Sequence, residues 1–266
     1  MKIPMGVANS VSYNMDYDPV DTLSYAVQSD FDIIQIYINH EMLEKKKDLE
    51  TLSTNIRNLS KADIYFHAED AFNEAFTKSK YRESFFSYLN EFTRPRVIYH
   101  FDESEELDTI LKIVDHLSNE NQHIYLENYF QFSGRILAEK NLRKFTAVFS
   151  LANNAGVRIR PVIDIPRFYQ SKIGFSEEEA LNWCFQLLNF FGNRDLPIIL
   201  HLIDTQTREQ DRSGFCPLGE GSIPYETIFD FILKNKVGLE GIIFEYLDKV
   251  NPLKSRENLK RLFWTA

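Results

Sequence analysis

Short runs of β-branched and aromatic residues alternate along the chain with longer segments in which apolar residues recur every three or four positions. The short runs predict eight strands, near residues 3–8, 32–38, 63–67, 96–101, 123–127, 158–164, 197–203 and 240–245. The longer segments predict helices between these strands, and this alternation is typical of repeated βα units around a parallel sheet. Eight such pairs predict an α/β fold, namely a single (β/α)8 TIM barrel.

Three of the predicted helices carry start or stop signals. One opens with Asp18 as a cap and Pro19 in its first turn. A second, predicted over residues 103–119, has acidic residues early and apolar residues at helical spacing. The third has Ser176 before three glutamates and Gly192 at its expected end. These local signals agree with the βα pattern of the whole chain.

The composition is that of one large α/β domain. The chain has 266 residues, 44% of them hydrophobic, which is enough to bury a core of the usual barrel size. No low-complexity tract, long charge block or linker rich in Pro, Gly and Ser divides it. We therefore expect residues 1–266 to form a single domain.

Cysteine usage, hydropathy and charge restrict the location and the partners. Cys184 and Cys216 are too few and too far apart to suggest a disulfide framework or a thiolate metal site. The chain does not open with a basic region followed by an apolar stretch, and no apolar run approaches membrane-spanning length, so we expect a cytoplasmic protein with no membrane partner. The net charge of −9 disfavours non-specific nucleic-acid binding, because no global positive field would attract a polyanion.

Ionisable residues lie towards the ends of six consecutive predicted strands whose interiors are apolar. They follow one another at intervals of 27 to 44 residues, each about one βα unit, and are His67, His100, Glu127, Asp164, His201 and Glu245. Because barrel strands all point the same way, their carboxyl ends meet on one face, where barrel enzymes build active sites. Loop hydrogen bonds could satisfy any one of these residues alone, but six in succession predict a functional site.

The chemistry of the last four residues indicates a divalent cation. Glu127, Asp164 and Glu245 would repel one another or take up protons if they converged without one. Carboxylate oxygens together with the imidazole of His201 suit Mn²⁺, Mg²⁺, Co²⁺, Fe²⁺ or Zn²⁺. We therefore expect one ion at this quartet.

His67 and His100 admit two interpretations. They lie on the two strands before Glu127, so they could hold a second ion that Glu127 bridges. Alternatively, they are neutral imidazoles that bind substrate hydroxyls or hydrogen-bond to the carboxylate ligands.

Short motifs around these residues resemble those of the xylose-isomerase-like TIM barrels, in the same order and on the expected strands. They are LENY with Glu127, VIDIPRF with Asp164, LHLIDT with His201, LGEGSIPY at 218–225 and FEYLD with Glu245. That family includes sugar epimerases such as D-tagatose 3-epimerase and the DNA-repair enzyme endonuclease IV. The resemblance implies that the quartet holds one metal and, in the epimerase branch, that Glu127 and Glu245 are the acid/base pair. His67 and His100 resemble the endonuclease branch, where such histidines hold a further zinc with the shared glutamate.

The chain departs from the endonuclease IV pattern at the third zinc site. Such sequences have a His three residues after the strand-six Asp and an Asp-x-His pair in the strand-seven loop, whereas this chain has Arg167 and the pair Asp211 and Ser213. The third site is therefore predicted to be absent. Arg167 is predicted either to hold a hydroxyl, carboxylate or phosphate of a small substrate, or to pair with Asp164 or Asp211.

The stretch CPLGEGSIPYETIFDFI also has two interpretations. Gly219 and Gly221 precede Ser222 at a predicted helix start, where free N–H groups can receive an anion, although Glu220 would oppose a phosphate. Glycines in such a turn also serve simple loop geometry, which we favour. The remaining histidines, at positions 40, 116 and 123, are predicted to carry no chemistry.

The leading hypothesis is a metal-dependent isomerase or epimerase of a small polyhydroxy carbonyl compound, such as a sugar or its phosphate. Glu127 and Glu245 would exchange a proton through a metal-stabilised enediolate. The alternatives are a metal-dependent phosphoester hydrolase and a barrel retained for binding. We expect a small-molecule partner and no nucleic acid, and a homo-oligomer is compatible with the sequence.

Overall fold

Eight parallel strands close into a barrel in the computed structural model, which describes residues 3–119, 122–132, 134–210 and 212–264. In chain order they are β1 (Met5–Ala8), β2 (Ile33–Ile38), β3 (Asp63–Ala68), β4 (Arg96–His100), β5 (His123–Glu127), β6 (Ile159–Asp164), β7 (Ile198–Leu202) and β8 (Leu239–Phe244). Each strand pairs with its neighbours in sequence, and β8 closes the barrel against β1. The predicted (β/α)8 TIM barrel is confirmed.

Helices occupy the connections between the strands. They are α1 (Pro19–Gln28), α2 (His40–Glu44), α3 (Lys46–Arg57), α4 (Glu74–Thr77), α5 (Lys80–Leu89), α6 (Leu107–Asn119), α7 (Arg135–Asn154), α8 (Glu177–Gly192), α9 (Tyr225–Lys234) and α10 (Asn251–Trp264). In the described part of the chain, no helix is both long enough and apolar enough to cross a membrane.

Two of the predicted helix starts have the expected caps. Asp18 Oδ1 accepts a hydrogen bond from the backbone N–H of Val20 at 2.9 Å, with Pro19 at the first position of α1. Ser176 caps α8 and forms a reciprocal capping box with Glu179. Both side chains satisfy backbone donors that a helix start leaves without partners.

The helix predicted over 103–119 begins later than expected, at Leu107. The reason is Asp102, whose carboxylate accepts hydrogen bonds from the backbone N–H of Ser104 at 2.8 Å and from its hydroxyl at 2.7 Å. This local turn uses the residues that the acidic pattern had assigned to the first helical turn.

A layer of apolar side chains fills the interior of the barrel. It consists of Ala8, Ile33, Tyr65, Ile98, Tyr125, Val162, Ile199 and Ile243, all nearly inaccessible to solvent. Towards the amino ends of the strands, Glu240 accepts hydrogen bonds from the hydroxyls of Tyr65 and Tyr125 and pairs with Arg160. The barrel is therefore a packed core, and a ligand can enter it only from the carboxyl ends of the strands.

Asp204 organises the glycine-containing loop that follows β7. Its Oδ2 accepts hydrogen bonds from the N–H groups of Gly219 at 2.8 Å and Gly221 at 3.0 Å, and its Oδ1 accepts one from Thr205 at 2.8 Å. A Cβ atom on Gly221 would lie 2.1 Å from Asp204 Oδ1, so this close approach requires glycine.

The anion-site interpretation of this loop is therefore wrong, because Asp204 already uses the amides that a bound anion would need. Ser222 does not begin the helix either, since α9 begins at Tyr225 after Pro224. The alternative, loop geometry, is confirmed.

We expect Asp204→Asn to lower the free energy of unfolding by about 2 kcal/mol, because an Asn side chain would turn an N–H donor towards some of the amides that Asp204 now accepts. Urea unfolding followed by circular dichroism measures this change. Asp230→Asn is the matched control, since Asp230 lies exposed on α9 with one long contact to Lys234, and it should change stability by less than about 0.5 kcal/mol. Equal stabilities of the two variants would show that Asp204 does not stabilise the glycine-containing loop.

Candidate functional site

The six ionisable residues predicted at strand ends form one layer directly above the layer of apolar side chains that fills the barrel. Each of the six follows a member of the apolar layer by two positions on the same strand. Because strand side chains alternate between faces, both members of such a pair point into the barrel. The pairs are Tyr65 and His67, Ile98 and His100, Tyr125 and Glu127, Val162 and Asp164, Ile199 and His201, and Ile243 and Glu245. The structure thus places all six at the mouth of the barrel.

Glu127 is the centre of this layer and is fully buried. Its Oε2 lies 2.9 Å from His67 Nε2, 3.3 Å from His201 Nδ1 and 3.7 Å from His100 Nε2. Its Oε1 accepts hydrogen bonds from Arg167 Nη2 at 3.1 Å and Nε at 3.2 Å. Burial alone would raise the pKa of Glu127, but the charges of His201 and Arg167 outweigh it and hold that pKa well below its usual range.

Arg167 pairs with Asp164 as well as with Glu127. Its Nε lies 2.6 Å from Asp164 Oδ2, and its guanidinium packs over the ring of Tyr129 at 4.5 Å. The predicted pair with Asp164 is therefore confirmed, whereas Asp211 lies outside the described residues. Burial raises the pKa of Asp164 to about 7 against the opposing charge of Arg167.

His201 lies between two carboxylates. Its Nδ1 is 3.3 Å from Glu127 Oε2 and 3.4 Å from Glu245 Oε1, yet within the described chain neither ring nitrogen makes a hydrogen bond of ordinary geometry. Burial disfavours the imidazolium, but the carboxylates outweigh it and raise the pKa of His201 to about 9. A buried imidazole with unused nitrogens beside two carboxylates is suited to bind a cation.

His67 gives a second indication of a cation. Its Nδ1 lies 2.9 Å from the carbonyl oxygen of Ala68 and its Nε2 lies 2.9 Å from Glu127 Oε2, and both oxygens can only accept. A neutral ring has a single N–H, so in either tautomer one of its nitrogens faces an acceptor with its lone pair and is repelled. A metal ion or an additional proton between them removes the repulsion.

His100 completes a group of three donors. Burial lowers the pKa of His100 well below its ordinary value, so the ring is neutral, and it stacks on Tyr129 with 4.2 Å between the ring centroids. One ligand atom from each of His67, His100 and Glu127 lies within 4.8 Å of the others. Since zinc binds such atoms at about 2.0–2.2 Å, these residues fit a divalent ion with little movement.

Glu245 is the most accessible carboxylate of the predicted quartet. Its side chain is 27% exposed, compared with 1% for Glu127 and 8% for Asp164. The buried side chain of Gln35 on β2 donates from Nε2 to Glu245 Oε1 at 2.7 Å and fixes its orientation. Glu245 is thus positioned to meet a ligand.

Two cavities meet at this layer. One, of about 260 Å³, is lined by Asn9, Gln35, Tyr37, His67 and His100 among others. The second, of about 380 Å³, is lined by Asp164, Gln170, Lys172, Arg208 and Gln210 among others. Both are also bounded by Arg167 and Glu245.

Three polar contributors to the site were not predicted. Asn128 is fully buried and holds the backbone of Asp164, accepting from its N–H at 2.7 Å and donating to its carbonyl at 3.2 Å. Gln35 fixes Glu245, and Tyr129 supports both His100 and Arg167. The available signals were Gln35 in the otherwise apolar strand IIQIYI and Asn128 directly after Glu127.

Comparisons with known proteins show similarity in structure alone. No protein-family model matches the chain, and no curated protein sequence matches it. Among solved structures, IolI protein with a bound zinc atom has a TM-score of 0.65 at 14% identity, with 98% of each chain covered. The probable 3-DHS dehydratase AsbF from Bacillus anthracis, involved in petrobactin synthesis, has a TM-score of 0.62 at 13% identity, with 97% of this chain and 99% of that chain covered.

A third neighbour is D-allulose 3-epimerase from Methylomonas sp. in complex with D-allulose. Its TM-score is 0.60 at 12% identity, with 98% of each chain covered. The chain therefore has the fold of the xylose-isomerase-like TIM barrels, as the resemblance of its motifs predicted. At these identities the likeness is one of fold.

We expect the purified protein to bind at least one divalent ion per chain, and His201→Ala to lower that occupancy sharply, because it removes the imidazole between two carboxylates. Mass spectrometry of metal content after loading with zinc and dialysis measures the change. His123→Ala is the matched control, since His123 begins β5 at the opposite end of the barrel. Full occupancy in His201→Ala would exclude His201 as a ligand.

Proposed function

We propose that the protein is a metal-dependent isomerase or epimerase that acts on a small polyhydroxy carbonyl compound such as a sugar. The main support is that Glu127 and Glu245 approach the same nitrogen of His201, at 3.3 and 3.4 Å, from strands that are not adjacent. Two carboxylates are thereby brought close to one position in the layer, where both could act on a single substrate. Removing a proton and returning it requires such groups within hydrogen-bond reach of the reacting atom.

The residues that would hold the ion are Glu127, His201 and Glu245, together with His67 and His100. Their fit rests on the unused nitrogens of His201 and on the donors of His67, His100 and Glu127 that converge within 4.8 Å. When bound, a divalent ion would supply a Lewis acid that polarises the substrate carbonyl and makes the neighbouring C–H more acidic.

Glu245 is the group that we assign to the first proton transfer. Its side chain borders both cavities and is 27% exposed, and Gln35 keeps one of its oxygens in place. For epimerisation Glu127, which lies deeper, would enter the step carrying a proton taken up from solvent and would give it to the opposite face of the carbon. Glu245 would keep the proton that it removed until that proton exchanges with solvent. Return of the proton by Glu245 to the adjacent carbon would give the ketose or aldose isomer instead.

The size and polarity of the two cavities agree with a small hydroxylated substrate. Their volumes of about 260 and 380 Å³ lie near the lower end of the range of ~300–1,000 Å³ that is common for ligand pockets. Arg167, which borders both, is suited to hold a hydroxyl or carboxylate, and His67 and His100 reach the smaller cavity. The neighbours of similar fold include an epimerase in complex with D-allulose and a protein with a bound zinc atom, which agrees with this class.

One observation favours a second candidate, a phosphoester hydrolase. The donors of His67, His100 and Glu127 form a group that would hold a divalent ion, and such an ion, when bound, would supply the activation of water that metal-dependent hydrolysis uses. Arg167 and Ser213 stand where the endonuclease pattern has imidazoles, so the third ion of that pattern lacks two ligands. We therefore keep phosphoester hydrolysis as the alternative function and propose proton transfer as the main one.

We expect Glu245→Gln and Glu127→Gln each to lower turnover by ~10²–10⁴, the loss typical of removing a general base, because Gln keeps the size and one oxygen but cannot accept the proton. Turnover of a ketose and aldose panel in deuterium oxide, followed by NMR, measures both rate and exchange. Glu226→Gln, on the exposed face of α9, is the control and should keep full activity.

Deuterium should appear on the carbon next to the carbonyl. If an active substrate is found whose conversion cleaves a phosphoester without exchanging that proton, the isomerase assignment is wrong and the hydrolase takes its place.

A further inference from the structure

Arg167 lies between the carboxylates of Asp164 and Glu127, both of which were predicted to bind metal. Its Nε lies 2.6 Å from Asp164 Oδ2, and its Nη2 donates to Glu127 Oε1 at 3.1 Å. The backbone N–H of Arg167 also donates to Asp164 Oδ1 at 3.3 Å. Both oxygens of Asp164 and one oxygen of Glu127 are therefore engaged by a single residue.

The position of Arg167 is fixed from several directions. Its guanidinium lies over Tyr129 at 4.5 Å, its side chain is only 18% exposed, and it follows Asp164 in the short 3₁₀ turn Pro166–Tyr169. A guanidinium keeps its positive charge at any ordinary pH. Arg167 is thus a permanent buried cation beside Asp164.

The other oxygen of Glu127 has different surroundings. Within 3.7 Å of Oε2 lie nitrogens of three imidazoles, those of His67, His201 and His100. An ion placed on this side meets imidazole donors, which, unlike a guanidinium, can release a proton to solvent when they bind a metal. An ion that used Asp164 would instead lie next to the guanidinium and be repelled by it.

We propose that Arg167 is an internal counter-cation that withholds Asp164 from the metal and confines a divalent ion to the imidazole side of Glu127. This inference rests on the proposed metal centre and is independent of the reaction catalysed there. It also names the class of ion, since imidazole-rich sites suit Zn²⁺, Co²⁺ or Fe²⁺, whereas carboxylate-rich sites suit Mg²⁺ and Mn²⁺.

The test is metal binding by the metal-stripped full chain, measured by calorimetry with Zn²⁺ and Mn²⁺ and by the visible absorption of added Co²⁺. Wild-type protein should prefer Zn²⁺ and Co²⁺ to Mn²⁺. Asp164→Asn should change the Zn²⁺ dissociation constant by less than about threefold, whereas His100→Ala should raise it by about tenfold or more.

Removing the arginine should shift this preference towards Mn²⁺. In Arg167→Gln the freed Asp164 can join the ligands, so Mn²⁺ affinity should rise by about tenfold or more and the Co²⁺ absorption should weaken as the coordination number increases. Arg167→Lys keeps the charge and should retain the wild-type preference. Arg160→Gln is the matched control, because Arg160 lies earlier on β6 and pairs with Glu240 at the other end of the barrel.

The proposal is overturned if Asp164→Asn loses Zn²⁺ as severely as His201→Ala while Arg167→Gln leaves Mn²⁺ affinity unchanged. It is overturned as well if neither the wild type nor Arg167→Gln binds any of the three ions. Thermal unfolding of each metal-free variant confirms that it is folded. Because no substrate is involved, a protein that shows the expected metal binding but no proton exchange would refute the isomerase and leave this role of Arg167 intact.

Discussion

The two-residue alternation of parallel strands determines where polar groups can lie in this barrel. One inward-facing position on each strand fills the interior with apolar residues such as Tyr65 and Tyr125. The next inward-facing position, two residues further along the strand, lies at the rim of the barrel. Ionisable side chains at that second position are buried from below and on their sides. Because the strand backbone holds these side chains inward, they cannot point away from one another. Their charges must therefore be balanced within the layer.

Glu127 shows how this balance is achieved. A carboxylate with no exposure is tolerated because a guanidinium occupies one oxygen and imidazoles surround the other. Such a centre is intolerant of change, since removing one partner leaves an uncompensated buried charge at a cost of ~3–5 kcal/mol. Substitutions in this layer therefore affect folding as well as chemistry, and conservative variants with matched controls are needed to separate the two.

The parts of the structure that follow from periodicity could be predicted from sequence, and the parts that follow from tertiary contacts could not. The eight strands and the six inward residues share one rule, so short apolar runs located them. The pair of Arg167 with Asp164 was one of the predicted alternatives, but its bond to Glu127 could not be derived from the sequence, because that distance depends on how β5 and β6 pair. Asp204 is a similar case: loop geometry was favoured for the glycines, but the sequence did not identify Asp204 as their partner, because the amides it binds lie 15 and 17 residues further along the chain.

The two cavities at the mouth of the barrel have Arg167 and Glu245 as common lining residues. Both side chains are held in place, Arg167 by Asp164 and Glu127, and Glu245 by Gln35. A ligand that extended from one cavity into the other would therefore have to displace these ion pairs or hydrogen bonds. The length of ligand that the barrel accommodates is thus limited by the same charge balance that keeps Glu127 buried.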